Sequence, residues 1–159
     1  MNSARKPRAG LAALALGVCV QAGPTGARGR KPPEPPVAPV EAAMEWKGVN
    51  CAVSKPRAEV VSDTASWAAL WREAFGKEAP AADLGPGKGF AAAVFLGARP
   101  TGGFGVEFLE PRQEGGRTIL PYRVTRPGPG MFVIQAFTTP WHIRVFRGDG
   151  SNAEVRGED

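Results

Sequence analysis

The chain has few of the side chains that most often perform catalysis or bind metals. Among its 159 residues are one histidine, one tyrosine and two cysteines. No histidine or cysteine pair has the spacing of a zinc site, and no acidic run has the pattern of a calcium loop. A cysteine nucleophile requires a base within hydrogen-bond reach, and nothing in the sequence brings Cys51 near His142. We therefore predict a protein without enzymatic activity, metal or cofactor.

The chain also lacks a hydrophobic run long enough to span a bilayer comfortably. Its longest apolar stretch, residues 9–20, follows three basic residues near the N-terminus. Small residues at the two positions that a signal peptidase reads place cleavage after Ala22. Residues 1–22 are therefore predicted to be a signal peptide, and the protein is expected to be periplasmic or secreted.

Cys19 leaves a second form of export open. The sequence Leu16–Cys19 is similar to a lipoprotein signal, in which the cysteine is acylated and anchors the mature protein to a membrane. Cleavage after Ala22 would instead leave Cys51 as the single cysteine, which excludes an intrachain disulfide. Cys51 would then be buried as a small hydrophobic residue or pair with a partner.

The positive charge of the chain is confined to its N-terminal part. The formal net charge of +5 lies within residues 1–40, and the remainder holds 14 basic and 14 acidic residues. Residues 23–41, rich in proline and glycine, are predicted to be an extended tether. Residues 42–159 are predicted to form one domain. Since that domain carries no net positive charge, nucleic acid is not an expected partner.

One helix is predicted near the start of the domain. Residues 62–64 offer N-cap side chains, and Gly76 is placed to end the helix. Between them, apolar residues recur with helical spacing along one stripe. These residues are Trp67, Leu70, Trp71, Ala74 and Phe75.

The rest of the domain shows short strand patterns separated by turn residues. Residues 90–96 are apolar on both faces, which predicts a central strand covered on both sides. His142 is expected on the outer face of its strand, and residues 148–151 are expected to form a hairpin turn. The fold class is mainly β (α+β), a small antiparallel β-sandwich or open barrel with one covering helix. The other strands are predicted within 44–54 and over 59–61, 104–108, 117–125, 131–137, 141–147 and 152–156.

Three turns are unusually rich in glycine, proline and aromatic residues. The first lacks the Lys-Ser/Thr of a phosphate-binding loop and opens a strand, so no phosphate site is expected. Loops of a sandwich gather at its ends, where they can form a recognition surface. A purely structural role is equally open, with glycines permitting a hairpin and Trp141 filling the core. The candidate binding residues are Arg99, Pro100, Thr101, Gly102, Gly103 and Phe104, then Gly128 and Gly130, then Thr139, Pro140 and Trp141.

The blocks LGARPTGGF, PGPG and TTPW, in this order, resemble the PrcB C-terminal domain family over roughly residues 60–155. The family occurs in secreted or periplasmic proteins and takes its name from an accessory subunit of a protease complex. It usually has tyrosine where this chain has Phe104 and Trp141, so the resemblance implies aromatic packing there. Its implied function is an accessory or stabilising subunit of an extracytoplasmic protease.

Two alternatives remain at this stage. The same three blocks are also similar, more faintly, to the loops of chagasin-type cysteine-protease inhibitors, which would make the domain an inhibitor. In that comparison Arg99 replaces an asparagine, Gly102 a threonine and Thr139 an arginine. The other alternative is a structural, envelope-associated domain with no connection to a protease.

Overall fold

The computed structural model describes residues 40–158. The predicted signal peptide, Cys19 and all but the last two residues of the predicted tether lie outside this range. The elements are β1 (Glu41–Gly48), β2 (Arg57–Val61), α1 (Thr64–Phe75), β3 (Gly89–Phe95), β4 (Gly105–Phe108), β5 (Arg112–Glu114), β6 (Arg117–Thr125), β7 (Trp141–Arg147) and β8 (Ala153–Glu158).

The strands form two sheets. Sheet 1 has the order β1-β7-β3-β2, and its neighbouring strands are all antiparallel. In sheet 2, β4 and β5 pair antiparallel with the two ends of β6, while β8 pairs with β6 in parallel. The described strands close no barrel. The predicted mainly β fold with one helix is therefore confirmed, in its sandwich form.

Strand β3 is covered on both faces, as its sequence predicts. All seven of its residues are buried. Ala91, Ala93 and Phe95 pack with the residues of α1. Phe90, Ala92 and Val94 pack with the inner side chains of sheet 2, including Phe108 and Leu120. The molecule thus has three layers, with α1 on one side of sheet 1 and sheet 2 on the other.

Helix α1 begins and ends where its sequence signals predict. Asp63 is the N-cap, and its carboxylate accepts a hydrogen bond of 2.8 Å from the Ser66 N–H. Gly76 ends the helix in a left-handed conformation with φ of 63°. Trp67 and Trp71 pack against each other and against Trp46 of β1, with ring centroids 5.5 to 5.9 Å apart. This aromatic cluster fixes the helix on sheet 1.

The strand predicted over residues 131–137 does not form. The chain must return there from sheet 2 to sheet 1, between the end of β6 and the start of β7. A segment that crosses between sheets cannot run along either of them, so its strand-forming residues have no neighbour with which to pair. The residues lie in irregular structure, with bends at Gln135 and Ala136.

The predicted hairpin connections are also wrong. The turn of residues 96–104 does not join paired strands, because β3 belongs to sheet 1 and β4 to sheet 2. Residues 148–151 do not create a hairpin of β7 and β8, since β8 crosses to sheet 2 and pairs with β6. Strand β5 was not predicted, and the strand predicted within residues 44–54 corresponds to β1, which ends at Gly48. Glycine and proline mark where a chain turns but do not determine which strands pair.

His142 is not on an outer face. Its side chain is 0% exposed because β7 is an inner strand of sheet 1, covered by α1 on one face and by sheet 2 on the other. His142 lies in the layer between the sheets, where its ring centroid is 5.0 Å from that of Phe108. Its Nδ1 accepts a 3.1 Å hydrogen bond from the Phe108 N–H.

Candidate functional site: a loop-built end of the sandwich

Two loops that cross between the sheets meet at one end of the molecule. The first crossover loop, residues 96–104, joins β3 to β4, and the second, residues 126–140, joins β6 to β7. The end of β3 lies beside the start of β7, with Phe95 opposite Trp141. The start of β4 lies beside the end of β6 in the same way. The TGGF, PGPG and TPW blocks are therefore brought together, and the last two belong to a single loop.

Backbone hydrogen bonds join the two crossover loops. Arg99 and Thr138 exchange N–H···O bonds of 2.7 and 3.0 Å, and the Leu96 N–H donates to Pro140 O at 2.9 Å. The Thr138 hydroxyl donates to Thr101 O at 3.0 Å. Thr138 was not among the predicted site residues, although it directly precedes them. These bonds make the loops one unit, so a change in either loop should displace the other.

The paired glycines of the first crossover loop lie against the second. Gly102 is buried and donates to Ile134 O at 2.9 Å. A Cβ on Gly102 would lie 2.6 Å from Ile134 Cγ1. Gly103 has a φ of 81°, and a Cβ there would meet Val133 and Pro127 at 2.9 and 3.0 Å. The glycines are thus required by close approach of the loops as well as by the turn itself.

A third segment, residues 49–56, supports the crossover loops from the side of sheet 1. The Thr139 hydroxyl accepts from the Cys51 N–H at 2.6 Å and donates to Cys51 O at 2.8 Å. The Ala98 N–H donates to Ser54 O at 2.9 Å. Sequence patterns do not reveal the contact between Cys51 and Thr139, because these residues are 88 positions apart. Cys51 is half-buried, and its thiol lies 3.5 Å from Thr139 O.

Trp141 packs into the domain more than it faces outward. Its ring centroid lies 4.5 Å from that of Phe75, and its Nε1 donates to Asn50 O at 3.0 Å. Its indole also covers Gly48, where a Cβ would be 2.9 Å from Nε1. Pro140, next to it, is buried. The structure therefore gives the TPW block a packing role beneath the loop surface.

The remaining predicted residues shape the surface itself. The Arg99 guanidinium lies over the Phe104 ring, 5.6 Å from its centroid, and both residues are half-buried. Pro100 is exposed and Thr101 half-buried. Gly130 has a φ of 75°. The Gly128 N–H lies 3.2 Å from Met131 Sδ.

The most exposed large apolar residues among residues 40–158 lie in the second crossover loop. Met131, Phe132, Ile134 and Phe137 have exposures of 61%, 105%, 67% and 80%. We call Met131–Phe137 the exposed apolar segment. Clustered exposed apolar side chains mark interaction surfaces, whereas isolated ones are normal. Sequence patterning missed this surface because its run of aromatic and β-branched residues is also typical of a strand.

The two crossover loops carry charge of one sign. The two crossover loops contain Arg99 and Arg126 and no acidic residue. Arg126 is exposed, and Arg99 is half-buried. The surface is thus apolar with two flanking cations, a composition that suits an apolar partner surface with carboxylates at its margin.

The chemical groups of the described residues are dispersed. Cys51 packs against the core on the helix side of sheet 1, whereas His142 lies between the sheets, so the two are on opposite faces. Residues 40–158 contain no group of three or more His, Cys, Asp or Glu side chains arranged to hold a metal ion. Within the same residues, α1 does not have the length and apolar character of a membrane-spanning helix.

The structure defines the class of protein as a two-sheet β domain with one covering helix and an apolar end built from loops. A family model described as PrcB C-terminal matches residues 91–146, about a third of the chain. The match runs from β3 to β7 and includes both crossover loops, and it confirms the resemblance over a narrower range than residues 60–155. No curated protein and no solved structure is significantly similar to the chain.

Proposed function

We propose that this protein is an exported, non-enzymatic binding protein that docks through the end built by its two crossover loops. Its partner is an extracytoplasmic protease, which it accompanies as an accessory or stabilising subunit. The observation that carries this proposal is the exposed apolar segment, held on two loops that are hydrogen-bonded to each other. The family match, which spans these loops, supports the connection with a protease complex.

The loop end has the physical properties that favour protein docking. Binding energy at interfaces is concentrated in a few large apolar or aromatic side chains that become desolvated. Phe132 and Phe137 are such side chains, and they are exposed in the free domain. The hydrogen bonds beneath them reduce the entropy that would be lost on binding. Among the predicted site residues, Gly102, Gly103 and Thr139 would then support the docking surface.

The test is affinity capture of the tagged full-length protein from its native host, followed by identification of the captured proteins. The wild type is compared with a Phe132→Ser/Phe137→Ser variant. A matched control, Lys88→Ser/Arg147→Ser, changes two exposed residues at the opposite end of the sandwich. Circular dichroism establishes that all three are folded. We expect the wild type and the control to capture the same protease, and the phenylalanine variant to lose it.

Binding is then reconstituted with the purified protease, which separates the proposal from its alternatives. A stabilising subunit should lengthen the active lifetime of the protease without saturable inhibition. Saturable inhibition would instead establish an inhibitor of the chagasin type. Capture of the same proteins by the wild type and both variants would contradict docking through the loop end and favour a structural role.

A further inference from the structure

The exposed apolar segment has the composition of a β-strand without the partner that a strand requires. Its sequence, MFVIQAF, is rich in aromatic and β-branched residues, which are enriched in strands. The structure nevertheless leaves it outside both sheets. A local preference that the fold does not satisfy is a mark of functional sites, because the conflict is maintained for a purpose other than stability.

The backbone of the segment is almost free of internal hydrogen bonds. The Met131 N–H donates to Gly128 O, and Ile134 O accepts from the Gly102 N–H. The Gln135 side chain donates to Val133 O at 3.3 Å. Within residues 40–158, the N–H groups from Phe132 to Phe137 have no protein acceptor. These six backbone donors are unused within the described residues, so those on an accessible edge can pair with a partner.

The bond to Gly102 determines which edge of the segment is accessible. In a strand, the N–H and C=O of one residue point to the same side, and those of the next residue point to the other. Ile134 directs its C=O toward Gly102, so Val133 and Gln135 would direct their backbone groups away from the domain. The bends at Gln135 and Ala136 would have to straighten for this pairing.

We propose that the exposed apolar segment binds an extended stretch of the partner protein by β-strand addition, through the outward backbone groups of Val133 and Gln135. This inference rests on the proposed function and specifies how docking occurs. The bound stretch has apolar side chains at alternate positions and carboxylates near its ends. Main-chain hydrogen bonds supply affinity in this mode, and pockets for alternate side chains supply specificity.

Charge and hydrogen bonding favour an extended peptide of a partner protein over a second copy of this chain or a lipid bilayer. Pairing of the segment with a second copy would bring together two sets of loops that contain Arg99 and Arg126 and no carboxylate. Insertion into a bilayer would place unpaired N–H groups in hydrocarbon, where each is costly. An extended segment with acidic flanks satisfies the backbone donors and the arginines together.

The test uses a phage-displayed library of random 12-residue peptides selected on the full-length protein. We expect enriched peptides with alternating apolar residues, a proline-free centre and Asp or Glu near the ends. Gln135→Pro, which removes an outward N–H, should weaken binding of a selected peptide by about tenfold, the value of one hydrogen bond. Ala136→Pro, which removes an N–H on the opposite edge, should weaken it far less. Gln135→Ala controls for loss of the side chain.

Amide hydrogen exchange measured by NMR supplies the second readout. Addition of the selected peptide should slow exchange at Val133 and Gln135 while leaving Ile134 and Ala136 fast. Selection of no consensus, equal effects of the two proline variants, or uniform exchange across the segment would overturn strand addition. Strand addition would also be overturned if the protein bound no peptide. Concentration-dependent dimerisation would then favour pairing with a second copy, and binding to anionic vesicles would favour a bilayer. Protease capture that survives Gln135→Pro would leave the docking proposal intact and refute only this mode.

Discussion

Replacing His142 by leucine should destabilise the domain by leaving the Phe108 N–H without an acceptor. The Nδ1···H–N bond joins β7 of sheet 1 to β4 of sheet 2 within the buried layer. A buried donor left unsatisfied costs about 1–3 kcal/mol, and leucine nearly preserves the volume. Asparagine should recover part of this loss, because its side-chain oxygen can reach the position of Nδ1.

The burial of His142 also makes the stability of the domain depend on pH. Burial lowers the pKa of His142 below its ordinary value of 6.5, against the opposing charge of Glu45, whose Oε1 lies 3.0 Å from Nε2. The charges of Arg144 and Lys47 also lower the pKa of His142. The unfolded chain therefore binds the proton more readily than the folded one. The contribution of neutral His142 to the free energy of unfolding is fully present above pH 6.5. It is lost as the pH falls from 6.5 through the lowered pKa of the folded state.

The contribution of Glu45 to folding stability is also lost in acid, but over a lower pH range. Partial burial opposes its ionisation, yet the hydrogen bond and charge of Arg144 hold the pKa of Glu45 below its ordinary value of 4.5. Its contribution is therefore fully present above pH 4.5 and is lost as the pH falls through the lowered pKa. Measurements between pH 8 and pH 5 report on His142 with little contribution from Glu45.

The assay is urea unfolding followed by tryptophan fluorescence at several pH values in this range. The wild type should lose unfolding free energy as the pH falls, while His142→Leu and His142→Asn should show flatter profiles. At pH 8 leucine should be the least stable of the three. The reasoning would be refuted if His142→Asn kept the full pH dependence, or if His142→Leu were as stable as wild type at pH 8.

Four further substitutions test backbone conformation, packing and an ion pair in the domain. Gly76→Ala should lower the free energy of unfolding by about 1–2 kcal/mol, because of its left-handed backbone alone. Gly103→Ala should lower it more, because the added Cβ also meets Val133 and Pro127. Equal losses of stability in thermal unfolding would contradict the loop contact. Trp67→Ala should cost about 3–5 kcal/mol in urea unfolding, since the residue is 1% exposed, and a loss below that would exclude the tryptophan as a core anchor. Glu73→Gln should leave the melting temperature nearly unchanged, because its ion pair with Arg57 is solvent-exposed, and a large decrease would show a structural ion pair.

The sequence predicted elements well where their signals were local. The bounds of β6 and β7 agree with the residues predicted, and so does the N-cap and glycine stop of α1. The two apolar faces of β3 correctly indicated a strand covered on both sides. Each of these inferences used only residues within one element and its immediate neighbours.

Errors arose where the outcome depended on which strands pair. The composition of MFVIQAF is that of a strand, but strand formation requires a neighbour, and the return from sheet 2 to sheet 1 provides none. His142 was misplaced for a similar reason, since its face could be assigned only once β7 was known to be an inner strand. The candidate site was found as three turns, whereas its support by residues 49–56 and its exposed side chains depend on tertiary contacts.

The position of β7 in sheet 1 has a consequence for how the chain acquires its structure. Strand β7 pairs with both β1 and β3, and it places Glu41 opposite Arg147. Such distant pairings form slowly, because a long loop must close before any contact compensates its entropy. Until β7 is in place, β3 has an open edge and two apolar faces, which is the combination most prone to aggregate. Chains truncated before residue 141 should therefore aggregate during synthesis, even though they contain β3 and the whole of α1.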